Sequence, residues 1–412
     1  MPAESARGSA TPEKNLRAGN SVWSGSSGTV LKCRVLKDSI KADVVVVGAG
    51  ISGAFVAHAL APRYERVVVV DRRAPMQGAT SASTAMLQYE IDEPLTSLSD
   101  KIGPGKAARA WRRSFRATQD LVRLVANEGI RCGLERRDAL YLAGTDMGAR
   151  GLEAESVARN HAGLPALFLD RHKLRNEYGI DRTAAIWSPK SAVADPRQLA
   201  AGLLRRAGSY GAELYSPVNI EGICATHHGI ILDTGLYFIE AKHAVLCTGY
   251  EVLKGLPTKG AKITSSWAVA SRPRAHFPGW LNRTLVWEAA TPYLYLRTTP
   301  DGRLIAGGED EDIDLPSYRN RSLERKSARL AAKVERLIPG LELAPVYKWT
   351  GAFGESRDGL PIIDAVPGMP GCYAVLGFGG NGTIFSMIAA QLLPGLLQGR
   401  PARDAALFRF RD

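Results

Sequence analysis

The chain opens its regular patterning with two uninterrupted apolar runs. Residues 44–47 and 67–70 are each four consecutive valines, the composition expected of strands buried on both faces in a parallel sheet. Between them, residues 51–61 predict a helix rich in small residues, closed by Pro62 and Arg63. Strand, helix and strand within about 30 residues make one βαβ unit.

The remainder mixes helical and strand periods. Residues 104–130 carry an apolar face (Ala107, Ala110, Trp111, Phe115, Leu121, Val122, Leu124, Val125) among many arginines, and residues 196–210 predict a second helix with Pro196 in its first turn. Residues 139–143, 213–215, 229–233, 236–240 and 244–247 read as strands. So do 285–288, 293–298 and 304–307, with Pro300-Asp301-Gly302 as a turn. Residues 323–337 predict a basic amphipathic helix. Residues 361–365 and 373–376 predict short strands, and 383–397 a last helix interrupted or ended near Pro394. Residues 1–40 read as a polar tail followed by a docking arm, with Trp23 as its anchor.

Composition narrows the class. At 412 residues, 45% hydrophobic and 23% charged, the chain suits a globular protein of roughly two or three domains. The formal charge of +12 is scattered, without runs of like charge, and reads first as a solvated basic surface. Cys33, Cys132, Cys224, Cys247 and Cys372 form no CxxC pair. That weakens any zinc, iron–sulfur or disulfide reading and fits a reducing, cytoplasmic setting. Residues 1–20 lack the apolar core of a secretory signal. Residues 42–61 are apolar enough to suggest a membrane span, but Asp43, Ser52, His58 and three spaced glycines suit a nucleotide turn instead.

That turn is Gly48-Ala49-Gly50-Ile51-Ser52-Gly53, a GxGxxG between a predicted strand and a predicted helix, with Asp71 ending the next strand. Gly48 permits the turn, Gly50 admits a pyrophosphate against the backbone, and Gly53 allows close helix–strand packing. The helix N-terminus offers free N–H groups and partial positive charge to phosphates. Asp71 is expected to accept hydrogen bonds from a ribose. This motif alone leaves NAD and FAD open. Asp71-Arg72-Arg73 is followed by Gly78-Ala79-Thr80-Ser81-Ala82-Ser83-Thr84, small and hydroxyl residues suited to a diphosphate.

A glycine fingerprint, an acid and then Gly-Ala-Thr-Ser resemble the D-amino acid oxidase superfamily, which includes glycine oxidase, sarcosine oxidase and γ-glutamylputrescine oxidoreductase. Three later segments agree. Arg357-Asp358-Gly359-Leu360-Pro361-Ile362-Ile363 is similar to the family's D-G-x-P-x-I. Ala244 to Tyr250 is similar to its strand ending in A-T-G-Y, with Thr248 and Gly249 as the flavin-side residues. Gly377-Phe378-Gly379-Gly380-Asn381-Gly382-Thr383 is similar to its glycine loop before the last helix. A helix N-terminus there would stabilise negative charge at N1 and the C2 carbonyl of reduced flavin. Ile220 falls where family members touch adenine through backbone.

The resemblance implies an α/β protein with a Rossmann-type, glutathione-reductase-like FAD-binding domain and a second, mainly antiparallel β substrate domain. It implies a discontinuous FAD-binding domain (41–98, 192–262 and 346–412) and a substrate domain (99–191 and 263–345). It also implies oxidation of a C–N bond of an amine or amino acid by hydride transfer to flavin N5, with oxygen or an electron-transfer protein as acceptor.

Three departures qualify it. Ala82 stands where some members carry a flavin-linking His, so noncovalent FAD is expected. Cys372, before the glycine loop, reads as a small strand residue. Phe353 stands where amino acid oxidases often place the Arg that pairs with a substrate carboxylate, and Arg357 is expected to point elsewhere. The third departure is Thr84-Ala85-Met86-Leu87-Gln88-Tyr89-Glu90, where family members usually continue with small residues: Gln88 and Glu90 are either candidates for binding a polar or cationic substrate or strand residues whose polar groups meet solvent or backbone. Tyr293, Tyr295 and Arg297 share one face of a predicted strand and form either a cavity wall or cross-strand packing. His58 reads as a packed histidine and His227-His228 as solvated turn residues. The rival readings are an NAD(P)-dependent dehydrogenase, with Arg72 and Arg73 meeting a 2′-phosphate, and a flavoprotein acting on RNA. No basic patch interleaved with aromatics supports nucleic acid.

Overall fold

A computed structural model describes residues 10–256, 262–274 and 277–410. Two sheets organise the chain. In the first, Cys372–Leu376, Phe238–Leu246, Ile40–Val47, Val67–Val70 and Glu213–Tyr215 lie parallel in that order. Ile362–Ala365 is added antiparallel at one edge. The hairpin of Gly222–Thr226 and Gly229–Asp233 extends from Phe238–Leu246, and His227 and His228 are exposed at its turn.

The valine runs behave as doubly buried strands should. Val44 and Val46 pack under the helices Ile51–Leu60, Pro196–Ser209 and Gly382–Leu397, while Val45 and Val47 join Val68 and Val70 on the opposite face. Each buried valine side chain contributes about 1.5–3 kcal/mol, so eight of them commit this sheet strongly to its register.

The second sheet runs Arg17–Asn20, Tyr347–Glu355, Lys262–Ala270, Leu304–Glu311, Leu294–Thr298, Thr284–Glu288, Glu135–Leu142, Ala184–Val193 and Met86–Leu87, with Leu167–Asp170 beside Ala184–Val193. Its pairings are antiparallel except Thr284–Glu288 with Glu135–Leu142.

Several expectations are corrected. Residues 236–240 and 244–247, read as two strands, belong to one strand, Phe238–Leu246. Its polar middle does not break it: Lys242 reaches Asp43 at 2.7 Å, and the His243 ring meets Tyr64 and Tyr373. The last helix runs through Pro394 to Leu397. Leu392, Leu393 and Leu397 hold its end in the core, and that packing offsets the lost backbone bond. Residues 10–20 are no loose tail: Arg17–Asn20 pairs with Tyr347–Glu355, and the Ala10 N–H donates to the Ile220 carbonyl at 3.0 Å. Trp23 is buried as expected, its Nε1–H donating to the Ser83 carbonyl at 2.7 Å. Tyr347–Glu355, which falls within the segment expected to start an FAD-binding portion at 346, pairs in the second sheet. His58 packs beside Glu128, Nε2 to Oε1 3.1 Å.

A candidate cofactor and substrate site

A cleft with about 2020 Å³ of non-atom space, part of it open to solvent, lies where the two sheets face each other. The nucleotide turn forms its floor. Gly48 has φ +112°, and a Cβ there would stand 2.3 Å from the Cys247 carbonyl oxygen. A Cβ on Gly53 would stand 1.8 Å from the Gly48 oxygen, so both positions require glycine on packing grounds alone. Gly50 differs: a Cβ there meets only Thr80 Oγ1, at 3.1 Å, and the residue faces the cleft. Thr80 Oγ1 accepts the Ile51 N–H at 2.9 Å.

Asp71 stands at the end of its strand and lines the cleft. Its carboxylate accepts the Ala49 N–H at 2.7 Å and the Arg73 N–H at 2.8 Å, and burial pushes its pKa up despite these bonds. Arg73 is held by Glu251, with contacts of 2.6 and 2.9 Å, and Arg72 bonds Thr11. Both cations are committed to protein partners, which weakens the reading that they meet a 2′-phosphate.

The segment after Gly78 runs along one wall, and its path is held by three successive carbonyls. Ala82 O accepts from Trp349 Nε1 at 2.9 Å, Ser83 O from Trp23 Nε1, and Thr84 O from Arg297 Nε at 2.7 Å. Arg297 also donates to the Ala194 carbonyl at 3.0 Å and lies 5.2 Å from the Trp23 ring. Burial lowers its pKa to about 9. Of the three strand residues read as either a cavity wall or cross-strand packing, Tyr293 and Tyr295 line the cleft, whereas Arg297 clamps the wall from behind. Ser81 also turns away, donating to the Met76 carbonyl at 2.6 Å. Ala49 and Gly53 build the turn without lining the cleft.

Gly48, Gly50, Ile51, Ser52, Arg72, Gly78, Ala79, Thr80, Ser83, Thr84, Gln88, Ile220, Thr248, Gly249 and the loop residues Gly379 to Thr383 all reach it. In that loop the Gly379 N–H donates to the Gly354 carbonyl at 2.9 Å, and the Asn381 side chain donates to the Glu90 carbonyl at 3.1 Å. Helix Gly382–Leu397 therefore begins at the cleft, as helix Ile51–Leu60 does. Ser386 Oγ and Ser52 Oγ bridge the two at 2.9 Å. Cys372 is buried within its strand, away from the cleft.

Sequence reasoning missed several lining residues. Ala10, Thr11 and Leu16 come from the arm, and Trp287 and Trp349 from strands without any motif. Only long-range folding brings them here.

The fit to FAD rests on this geometry. Two helix N-termini open onto one cleft. Gly50, Gly379 and Gly380 line it with bare backbone, and the buried Thr248 hydroxyl has no hydrogen-bond partner among the described residues. The profile of the family described as "DAO: FAD dependent oxidoreductase" matches residues 43–394. The chain belongs to this family. As a DAO-family member it is an FAD-dependent oxidoreductase. It is 26% identical over 386 residues to glycine oxidase of Geobacillus kaustophilus, covering 89% of this chain and 96% of that protein. It is 24% identical over 397 residues to γ-glutamylputrescine oxidoreductase of Escherichia coli, covering 93% and 90%. The solved structure of the Geobacillus kaustophilus glycine oxidase superposes with a TM-score of 0.73 at 22% identity, covering 90% of this chain and 98% of that one. That likeness establishes the shared fold. Among the described residues no helix is long and apolar enough to cross a membrane.

Proposed function

We propose that the cleft holds FAD noncovalently along the Gly48–Gly53 turn and the Gly78–Thr84 wall, and that its open end oxidises a C–N bond of a small amine or amino acid. The observation carrying this reading is the convergence of both helix N-termini on one cleft whose far wall is polar and aromatic. Asp71 receives the ribose, Gly50 leaves room for the pyrophosphate beside the Ile51–Leu60 N-terminus, and Ala82 leaves no residue to link the flavin. The N-terminus at Gly382–Thr383 supplies positive potential at the far end of the cofactor. Bound flavin supplies the acceptor for the hydride leaving the carbon next to nitrogen.

The protein's own part is positioning. Tyr293, Tyr295 and Gln88 bound the space in which a substrate sits, and the locked carbonyls of Ala82, Ser83 and Thr84 keep the wall rigid. No side chain is required to abstract a proton at carbon, provided the amine arrives neutral. The electrons then pass to oxygen or to an electron-transfer partner.

Anaerobic titration of the FAD-loaded protein with a panel of amines and amino acids tests this, followed by readmission of oxygen. Loss of the flavin's visible absorbance with at least one amine or amino acid is expected. Recovery in air identifies oxygen as acceptor, and failure to recover identifies a carrier. A cofactor that no C–N substrate reduces overturns the proposal.

A further inference from the structure

Acids and aromatic rings, not cations, furnish the cleft wall opposite the nucleotide turn. Glu90 lines it with only 1% of its surface exposed, and neither carboxylate oxygen makes a well-formed hydrogen bond among the described residues, although the Ser188 hydroxyl stands beside it. The nearest cation, Arg159, stands 4.0 Å away and is already bound to Glu155 at 2.7 Å. Two carboxylates thus share one guanidinium, which sits behind Glu90 and does not reach the cleft.

Gln88, 8% exposed, also lines the wall, and its carbonyl oxygen lacks a partner among the described residues. Asp92 faces the same space and accepts the Gly380 N–H at 2.6 Å. Just behind lies Asp310, whose two buried oxygens make no well-formed hydrogen bond among the described residues, although Ser266 and Tyr293 stand beside them. Burial raises the Asp92 carboxyl to about 6 and the Asp310 carboxyl to about 7. Trp287, Tyr293 and Tyr295 face the cleft, with the two tyrosine rings 5.5 Å apart.

The basic residues lining the cleft are Arg72 and Arg73, both committed beside Asp71. Phe353 lines it at the position where amino acid oxidases often carry a carboxylate-binding Arg. A substrate carboxylate brought to this wall would meet the carboxylates of Glu90 and Asp92 with only uncharged donors beside them, the Trp287 Nε1–H and the tyrosine hydroxyls, and no cation. A cation would meet carboxylates and ring faces, both of which attract it.

We propose that Gln88, Glu90 and Asp92, walled by Trp287, Tyr293 and Tyr295, form a cation-receiving subsite, so that the substrate is a diamine-like molecule. One nitrogen is oxidised, and a second, positively charged group is held at this wall. The inference rests on the amine-oxidising reading given above. Unpaired buried acceptors are costly, and a cationic group relieves those of Gln88 and Glu90 while adding a second partner for Asp92.

The test is isothermal titration of the FAD-loaded protein with tetramethylammonium chloride and, separately, sodium acetate. Tetramethylammonium carries the charge but no lone pair and so cannot be oxidised as an amine. It should bind and acetate should not. Glu90→Gln, which keeps the shape, should weaken tetramethylammonium at least tenfold while retaining FAD. Should Glu90→Gln fail to fold, Asp92→Asn, which can still accept from Gly380, should weaken it severalfold. Acetate binding more tightly than tetramethylammonium, or cation affinity unchanged in the folded variant, overturns the subsite. In parallel, diamines should reduce the flavin anaerobically more efficiently than α-amino acids. Reduction by α-amino acids alone overturns the subsite and leaves the oxidoreductase reading standing. Reduction by neither overturns that reading, while the titration still decides the subsite.

Discussion

Replacing Gly50 by valine separates the two demands made on the glycine turn. Gly50 precedes helix Ile51–Leu60 with φ −81° and ψ −168°, extended geometry open to any residue. Its added Cβ would touch only Thr80 Oγ1, at 3.1 Å. The fold should therefore lose about 1 kcal/mol or less. The valine methyls, by contrast, project into the space assigned to the pyrophosphate. Losing two charge-assisted hydrogen bonds there, at about 1.5–3 kcal/mol each, costs about 3–6 kcal/mol. That weakens FAD binding roughly 10²–10⁴-fold. Thermal melts of the flavin-free proteins should nearly coincide. The FAD-to-protein ratio after purification, and the Kd from quenching of FAD fluorescence, should collapse in the variant. Gly53→Ala is the control: its Cβ would lie 1.8 Å from the Gly48 oxygen, so misfolding is expected although the residue does not line the cleft. Wild-type FAD occupancy in Gly50→Val would refute the assignment of the turn.

Other outcomes follow from the same geometry. Trp23→Ala removes a buried ring and the donor to Ser83, costing about 3–5 kcal/mol; a melting temperature within a degree of wild type would refute the anchoring role. A chain starting at Arg17 lacks Ala10, Thr11 and Leu16 from the cleft wall and should bind FAD about tenfold more weakly; an unchanged Kd would contradict their placement. Asp310, with its carboxyl raised to about 7, holds a proton in the folded state over a pH range where the unfolded chain has released it. Its favourable contribution is fullest below the ordinary carboxylate pKa and is lost as pH rises towards 7. The melting temperature of Asp310→Asn relative to wild type should therefore rise between pH 4 and 7.5 (about three units, spanning the shift); a flat difference would refute the burial of this acid.

What could be read from the sequence was mostly local. The valine runs, the glycine turn and the Asp71 position are set by neighbours a few residues apart, and the structure places them as the pattern implied. The loop at Gly377–Thr383 was legible because a helix N-terminus and its glycines are contiguous. The arm and its Trp23 anchor were expected, but its strand was not legible, since Arg17–Asn20 carries no alternation and gains its strand only by pairing with Tyr347–Glu355. The role of Arg297 could not be read because alternation puts it on the face of Tyr293 and Tyr295 but says nothing about depth. Its side chain reaches carbonyls from two other segments. Asp92 and Asp310 carry no motif at all. Their character comes from burial, which only the assembled cleft creates.

The central claim, an FAD enzyme that oxidises C–N bonds, is tested most directly by the visible spectrum of the FAD-loaded protein during anaerobic addition of amines. Flavin absorbance that denaturation releases into solution, and that an amine or amino acid bleaches beforehand, is the expected result. A protein that takes up no FAD, or whose bound flavin no such compound reduces, would contradict the account.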